Sequence, residues 1–229
     1  MTFKPFDPEK ETSITWQTLP HWRQMGVTYF VTSRLADSIP HWVVQRWNEE
    51  RRQWLLREGV DSDVEMDRLS SAKQREFKRI LTRKWHQCLD VGHGDCILKN
   101  PDAARLLAEE LTRGHATGYT LDAWVIMPNH WHVLVAPWQC DSLSSIQQRW
   151  KGRAARRING CMKREGQLWQ KEAFDHIVRN SNRLNDFRRY IAENPGKARL
   201  REGEYVLGFG RDQITPTGLL ELCSRDFSP

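Results

Sequence analysis

The sequence has 229 residues, enough for one sizeable domain with its own core and short for two. With 39% hydrophobic and 28% charged residues it describes a globular chain and excludes a disordered or collagenous one. A formal net charge of +6 favours a polyanionic partner. No apolar run reaches membrane-spanning length, and Met1-Thr2-Phe3-Lys4-Pro5-Phe6-Asp7 lacks the layout of a secretory signal, so a cytoplasmic protein with no membrane partner is expected. Five cysteines, an odd number, fit a reducing compartment and provide no disulfide framework.

In chain order, Thr15-Trp16-Gln17-Thr18-Leu19-Pro20-His21-Trp22 reads as an extended arm turning at Pro20. Val27-Thr28-Tyr29-Phe30-Val31-Thr32-Ser33, rich in β-branched and aromatic residues, reads as a buried strand. Two charged helical stretches follow, one from Ile39-Pro40 through Leu56 and one over about 64–88, separated by a polar turn at 59–63. Asn100-Pro101 opens the next helix, because Asn caps free amides and Pro suits the first helical position. That helix stops near Gly114. Residues 119–127 and 130–135 then form an antiparallel hairpin about the Pro128-Asn129 turn. Ser142 caps a helix with Leu143, Ile146, Trp150, Ala154 and Ile158 at helical spacing. A strand over about 168–178 precedes a helix over 182–193, ended by Asn194-Pro195-Gly196 because Pro disfavours helical geometry in the residue before it. Residues from Gly203 on read as a loosely structured tail. The expected class is α+β, a ferredoxin-like antiparallel sheet with helices on one face and an inserted helical pair.

His130-Trp131-His132 is the central chemical feature. On a strand, residues two apart share a face at roughly 6.5–7 Å, so both imidazoles can converge on one cation while Trp131 turns to the opposite side. The spacing alone reads equally as two polar residues capping a strand. Tyr190 and Asn194, four apart, share a helical face. A phenol can attack a DNA phosphate and keep the phosphodiester energy as phosphotyrosine, given a nearby cation to stabilise the phenolate. By spacing alone, the same pair also reads as a half-buried tyrosine with a helix-ending asparagine. Arg149, Lys151, Arg153, Arg156 and Arg157, with Lys163 and Arg164, form a basic run with no acid until Glu165. It is a candidate surface for phosphate contacts, and a solvated helix face is the alternative. No tryptophan is assigned to DNA. His86, Cys88, His93 and Cys96 match no closed zinc pattern, and Asp175-His176 reads as a hydrogen-bonded pair, with contact to the metal site or DNA as the alternative.

Several segments, in order over about 19–200, resemble the REP-associated tyrosine transposases, members of the HUH (His-hydrophobe-His) single-strand endonucleases. They are Pro20-His21-Trp22, Tyr29-Phe30-Val31-Thr32-Ser33-Arg34-Leu35, Met127-Pro128-Asn129-His130-Trp131-His132-Val133-Leu134-Val135 and Leu143-Ser144-Ser145-Ile146. Trp169-Gln170, Phe174-Asp175-His176 and Tyr190-Ile191-Ala192-Glu193-Asn194-Pro195-Gly196-Lys197-Ala198 complete the set.

The resemblance implies an HUH nuclease fold in which His130 and His132 bind Mg²⁺ or Mn²⁺, Asn194 completes the metal site, and Tyr190 cleaves single-stranded DNA while keeping its 5′ end. Neutral imidazoles are then required, so activity falls at acid pH. The implied partner is single-stranded or hairpin DNA bearing REP-like palindromes, and the family's members include domain-swapped dimers as well as monomers. The alternative is a hairpin-binding regulatory protein of the same fold with little or no cleavage. Residues 1–202 would form the transposase-like catalytic domain, with a charged helical insertion at about 39–88, and 203–229 the tail. Trp131 is bulkier than the aliphatic residue common at its place, and the tail has no clear serine-rich ending.

Overall fold

The computed structural model describes residues 3–16, 20–60, 68–138 and 141–209. The chain divides into two compact units: one runs up to Ala36 and resumes at Cys96, and the other is Asp37–Asp95. The second is a pair of helices, α1 (His41–Arg57) and α2 (Ser71–Asp90). Val43 at the start of α1 clusters with Cys88 and Leu89 at the end of α2, while Leu55 meets Leu69 beyond the other end, so the helices run antiparallel. Trp54 stacks on Phe77 at 4.5 Å between these two small clusters. The start expected near residue 64 lies outside the described residues. Cys88 lies in an apolar cluster, and burial pushes the His86 pKa down to about 4. Among the described residues no three His, Cys, Asp or Glu side chains are grouped to hold a metal ion. No described helix is long and apolar enough to cross a membrane.

In the first unit, β1 (Ser13–Trp16) and β2 (Pro20–Arg23) pair as an antiparallel ribbon, and residues 17–19 of the expected arm lie outside the described ones. The core is a five-stranded sheet of β3 (Tyr29–Arg34), β4 (Tyr119–Ile126), β5 (His130–Pro137), β6 (Phe174–Ile177) and β7 (Val206–Phe209), in the order β6-β3-β5-β4-β7. Every neighbouring pair is antiparallel. Helix α3 (Pro101–Thr112) joins β3 to β4 after the inserted unit, and α4 (Leu143–Cys161) joins β5 to β6. Strands β6, β3, β5 and β4 stand in the ferredoxin-like order expected, with β7 added beside β4.

The period-two alternation of strands divides the core in two. One face carries Tyr29, Val31, Trp131, Val133 and Val135, packed against Leu107 and Leu111 of α3 and Ile146, Trp150 and Ile158 of α4. Asn100 Oδ1 accepts hydrogen bonds from the backbone N–H groups of Asp102 and Ala103, and Ser142 Oγ accepts one from Ser145, so both helices start where their capping residues indicate. The other face carries Phe30, Val125, Met127 and Leu134. It is covered by Leu184 and Ile191 of the last helix, α5 (Ser181–Lys197). Helices on one face alone were expected from the sequence. Strand β5 is buried along its whole length, and a strand apolar on both sides needs cover on both.

Two further differences matter for function. The late strand is only four residues long, Phe174–Ile177, and α5 runs through Pro195 to Lys197 instead of stopping at Asn194. Asn194 and Pro195 are both buried, so packing against the sheet holds the last turn that local preference would end. The segment expected to be a loose tail contributes β7, hydrogen-bonded to β4; residues from 210 on lie outside the described ones. Gly208 sits opposite Trp124, and a Cβ there would come within 2.4 Å of the indole ring. Gly208→Ala should lower stability by about 1–3 kcal/mol in urea denaturation through overpacking. A segment outside the sheet would tolerate it unchanged.

Candidate active site

The turn between β4 and β5 decides which residue opens β5. Its carbonyls at Pro128 and Asn129 accept hydrogen bonds from Leu98 and Leu35 at 3.1 and 2.8 Å, and Met127 N–H donates to His130 O at 2.8 Å. Pinned from both sides, the turn places His130 and His132 on the α5 face and Trp131 on the opposite one. Both histidines are buried, with ring centroids 4.8 Å apart at 76°. His130 Nδ1 lies 2.7 Å from Asn129 Oδ1, and His132 Nδ1 lies 2.7 Å from Thr32 Oγ1 on the adjacent strand. An imidazole that donates its Nδ1–H to an oxygen keeps its Nε2 lone pair available, the tautomer that ligates metals. The Asn129 carbonyl oxygen can only accept, and the Thr32 hydroxyl is able to accept in the same way.

Helix α5 brings the other two residues to the same place. The Tyr190 ring stands 5.2 Å from His132 at 74°, and 5.8 Å from Phe30 at 81°. Asn194 is fully buried, with Nδ2 3.5 Å from His132 Nε2 and Oδ1 without a hydrogen-bond partner among the described residues. A buried carbonyl left unsatisfied costs about 1–3 kcal/mol, and a cation would relieve that cost. Two imidazole nitrogens and one amide oxygen form a neutral donor set suited to a divalent ion that keeps other positions for water or phosphate oxygens. All four sequence-predicted residues, His130, His132, Tyr190 and Asn194, meet within one chain.

Three features around them were not legible in the sequence. Strand β4 has an irregularity between Leu121 and Trp124, after which its facing changes, and Asp122 there receives a bidentate pair from Arg188 of α5 at 2.8 and 2.9 Å. This pair locks the helix carrying Tyr190 to the sheet. Thr32 is found as the partner of His132 only through strand register. Because α5 continues past Pro195, Lys197 places its ammonium 5.4 Å from the centre of the Tyr190 ring, while pairing with Glu193 at 3.0 Å. Asp175 and His176, expected to bond each other, point to opposite faces of β6, as neighbours on a strand must. Asp175 instead takes a bidentate pair from Arg23 at 2.7 and 2.8 Å.

The basic run on α4 lies elsewhere. Because α4 packs on the Trp131 face, its side chains lie in the helical layer on the far side of the sheet from Tyr190. Arg149 pairs with Asp141, and Arg157 with Glu109 and Glu110 at 2.5 and 2.8 Å. Lys151 Nζ donates to the carbonyls of Gln170 and Lys171 at 2.6 and 2.8 Å. Burial, then the charge of Arg34, lowers its pKa to about 8. Arg153 and Arg156 are exposed, and no ion pair of theirs is seen among the described residues. The five therefore separate into internal struts and exposed cations. Arg157→Ala should cost about 0.5–1.5 kcal/mol of stability by removing its bonds to Glu109 and Glu110, Arg113 staying paired with the buried Glu110 carboxylate. Arg156→Ala should leave stability unchanged, and if it contacts phosphate it should reduce the salt dependence of DNA binding by about one counterion.

The sequence model of the family described as "Transposase IS200 like" matches residues 98–194. Comparison with curated proteins finds no match. One similar solved structure is that of a REP-associated tyrosine transposase bound to a REP hairpin, at 15% identity, covering 78% of this chain and 74% of that one, with a TM-score of 0.40. The fold assignment rests on the strand order and not on that overlap. The stretch matched by that family model, residues 98–194, holds both histidines, Tyr190 and Asn194.

Proposed function

We propose that this chain is a metal-dependent single-stranded DNA endonuclease and strand transferase acting at hairpin-forming palindromic repeats. Tyr190 is the nucleophile, and His130, His132 and Asn194 hold Mg²⁺ or Mn²⁺. The observation that carries this reading is the meeting of Tyr190 with His132 beside the buried Asn194 oxygen, inside the stretch matched by the transposase family.

In the reaction, the Tyr190 oxygen attacks phosphorus, forming a P–O bond to the phenol as the bond to the 3′ oxygen breaks. The phenolic proton passes to solvent, and the 3′ oxygen leaves as a hydroxyl after taking a proton. The DNA then carries its 5′ phosphate on Tyr190, and a 3′ hydroxyl attacking that phosphate reverses the step. The metal, when bound, polarises the phosphate and stabilises its developing charge. Thr32 and Asn129 orient the imidazoles, Arg188 and Asp122 fix the helix that presents the phenol, and the Lys197 ammonium favours negative charge on the ring.

The decisive assay uses Mn²⁺ or Mg²⁺ and an oligonucleotide in which single-stranded flanks adjoin a hairpin from the palindromes beside the gene. The wild type should form a covalent protein–DNA adduct, and Tyr190→Phe should form none. An adduct that survives Tyr190→Phe sinks the nucleophile assignment. Tight hairpin binding without an adduct under either metal would instead mark a regulatory binding protein. For the metal, Thr32→Val keeps the shape of the side chain and removes the His132 partner. Mn²⁺ affinity by titration should fall about 10–100-fold with the fold intact.

A further inference from the structure

The rings of the site do not end at Tyr190. Phe30 touches both Tyr190 and His132, and stacks on Phe187 of α5 at 4.4 Å and 10°. Phe187 in turn lies 5.9 Å from the ring of His176 at 59°. His176 pairs across β3 with Phe30, which puts it on the α5 face of β6, the terminal strand of the sheet. Phe30 is buried, Phe187 half-buried and His176 exposed, so the row leads from the buried histidines to the surface.

The charge beside the outer end is positive. Arg179 and Arg183 are both exposed and lie close enough to act on His176 electrostatically. Asp186 is shared between Arg183 and Arg189 at 3.5 and 3.0 Å, so one carboxylate answers two guanidinium groups. Partial desolvation on the side packed against the protein, then the charges of Arg179 and Arg183, hold the His176 pKa below the ordinary histidine range against an opposing pull from Asp175. The shift favours the neutral ring, which offers a π face.

An exposed aromatic face continuous with a nucleophile and flanked by cations matches the way unpaired nucleic-acid strands are held, with bases on rings and phosphates on arginines. We propose that His176, backed by Phe187, is a stacking shelf for one unpaired base next to the scissile phosphate, with Arg179 and Arg183 contacting the adjoining backbone. This rests on the reading of Tyr190 as a DNA nucleophile and adds where the strand lies beside it. The shelf selects for an unpaired base, because a base inside a duplex has no free face to offer.

The test uses hairpin oligonucleotides with 2-aminopurine placed singly at each position flanking the cleavage site, titrated without metal into wild type, His176→Ala and His176→Trp. Wild type should quench the probe most at one flanking position. His176→Ala should lose that quench and weaken binding about 5–150-fold, the range expected for one stacked base, with an unchanged melting temperature. His176→Trp should restore both. The inference is overturned if His176→Ala, saturated with DNA, keeps the wild-type quench, or if no flanking position is quenched in the wild type. Adduct formation by the wild type with Mn²⁺ is scored separately. Its absence removes the nuclease reading even where the shelf binds a base, and its presence with no His176 effect removes the shelf alone.

Discussion

The site depends on the pinned turn at Pro128 and Asn129. A β-strand has only two facings, and a slip of one residue in β5 would exchange both histidines for Trp131. Backbone hydrogen bonds from Leu35 and Leu98 hold the turn from two directions, and the antiparallel ladder with β3 then sets Thr32 against His132. Burial reinforces the choice. Trp131 is fully buried among Trp150 and Trp169 at 5.8 and 6.4 Å, a place no imidazole could fill. The bulk of this tryptophan therefore serves the site indirectly, by making the wrong facing expensive.

The two faces of the sheet divide the work. On one, α3 and α4 pack through a large apolar cluster and are tied together by Arg157 with Glu109 and Glu110. On the other, a single helix, α5, covers a smaller cluster and presents Tyr190 and Asn194. Its anchor is the Arg188–Asp122 pair, which the irregularity in β4 makes available by changing the strand's facing. Buried polar groups such as Asn194 Oδ1 are costly in a scaffold and characteristic of a site awaiting a ligand. The cost falls on the helix that carries Tyr190 and Asn194 and leaves the other layer as support.

Charge follows the same division. A run of basic residues in sequence is only an inventory, because each cation's meaning depends on what lies within a few ångströms. On α4, Arg149, Lys151 and Arg157 are engaged by carboxylates or backbone carbonyls of their own chain, while Arg153 and Arg156 face solvent. Near β6 and α5, Arg183 and Arg189 share Asp186, and Arg179 and Arg183 act on His176. Positive charge near the exposed end of the Phe30–Phe187–His176 row thus comes from residues whose sequence neighbourhood looks unexceptional.

The sequence by itself determined the order of strands and helices from β3 to α5, the capping residues of α3 and α4, and the common face of His130 and His132. Those features rest on local chemistry: period-two alternation, side-chain oxygens that accept backbone N–H bonds, and a turn of Pro and Asn. Tyr190 and Asn194 could be paired by helical spacing, although spacing could not say what they faced. Only the tertiary structure decided the rest. It carried α5 through Pro195 to Lys197, since burial outweighed the local preference of the preceding residue, and it drew 206–209 into the sheet. It set Thr32 on His132, Asp122 on Arg188 and Asp175 on Arg23, pairs separated by 100, 66 and 152 residues. Contacts over such separations come from register and packing, which no window of local sequence contains.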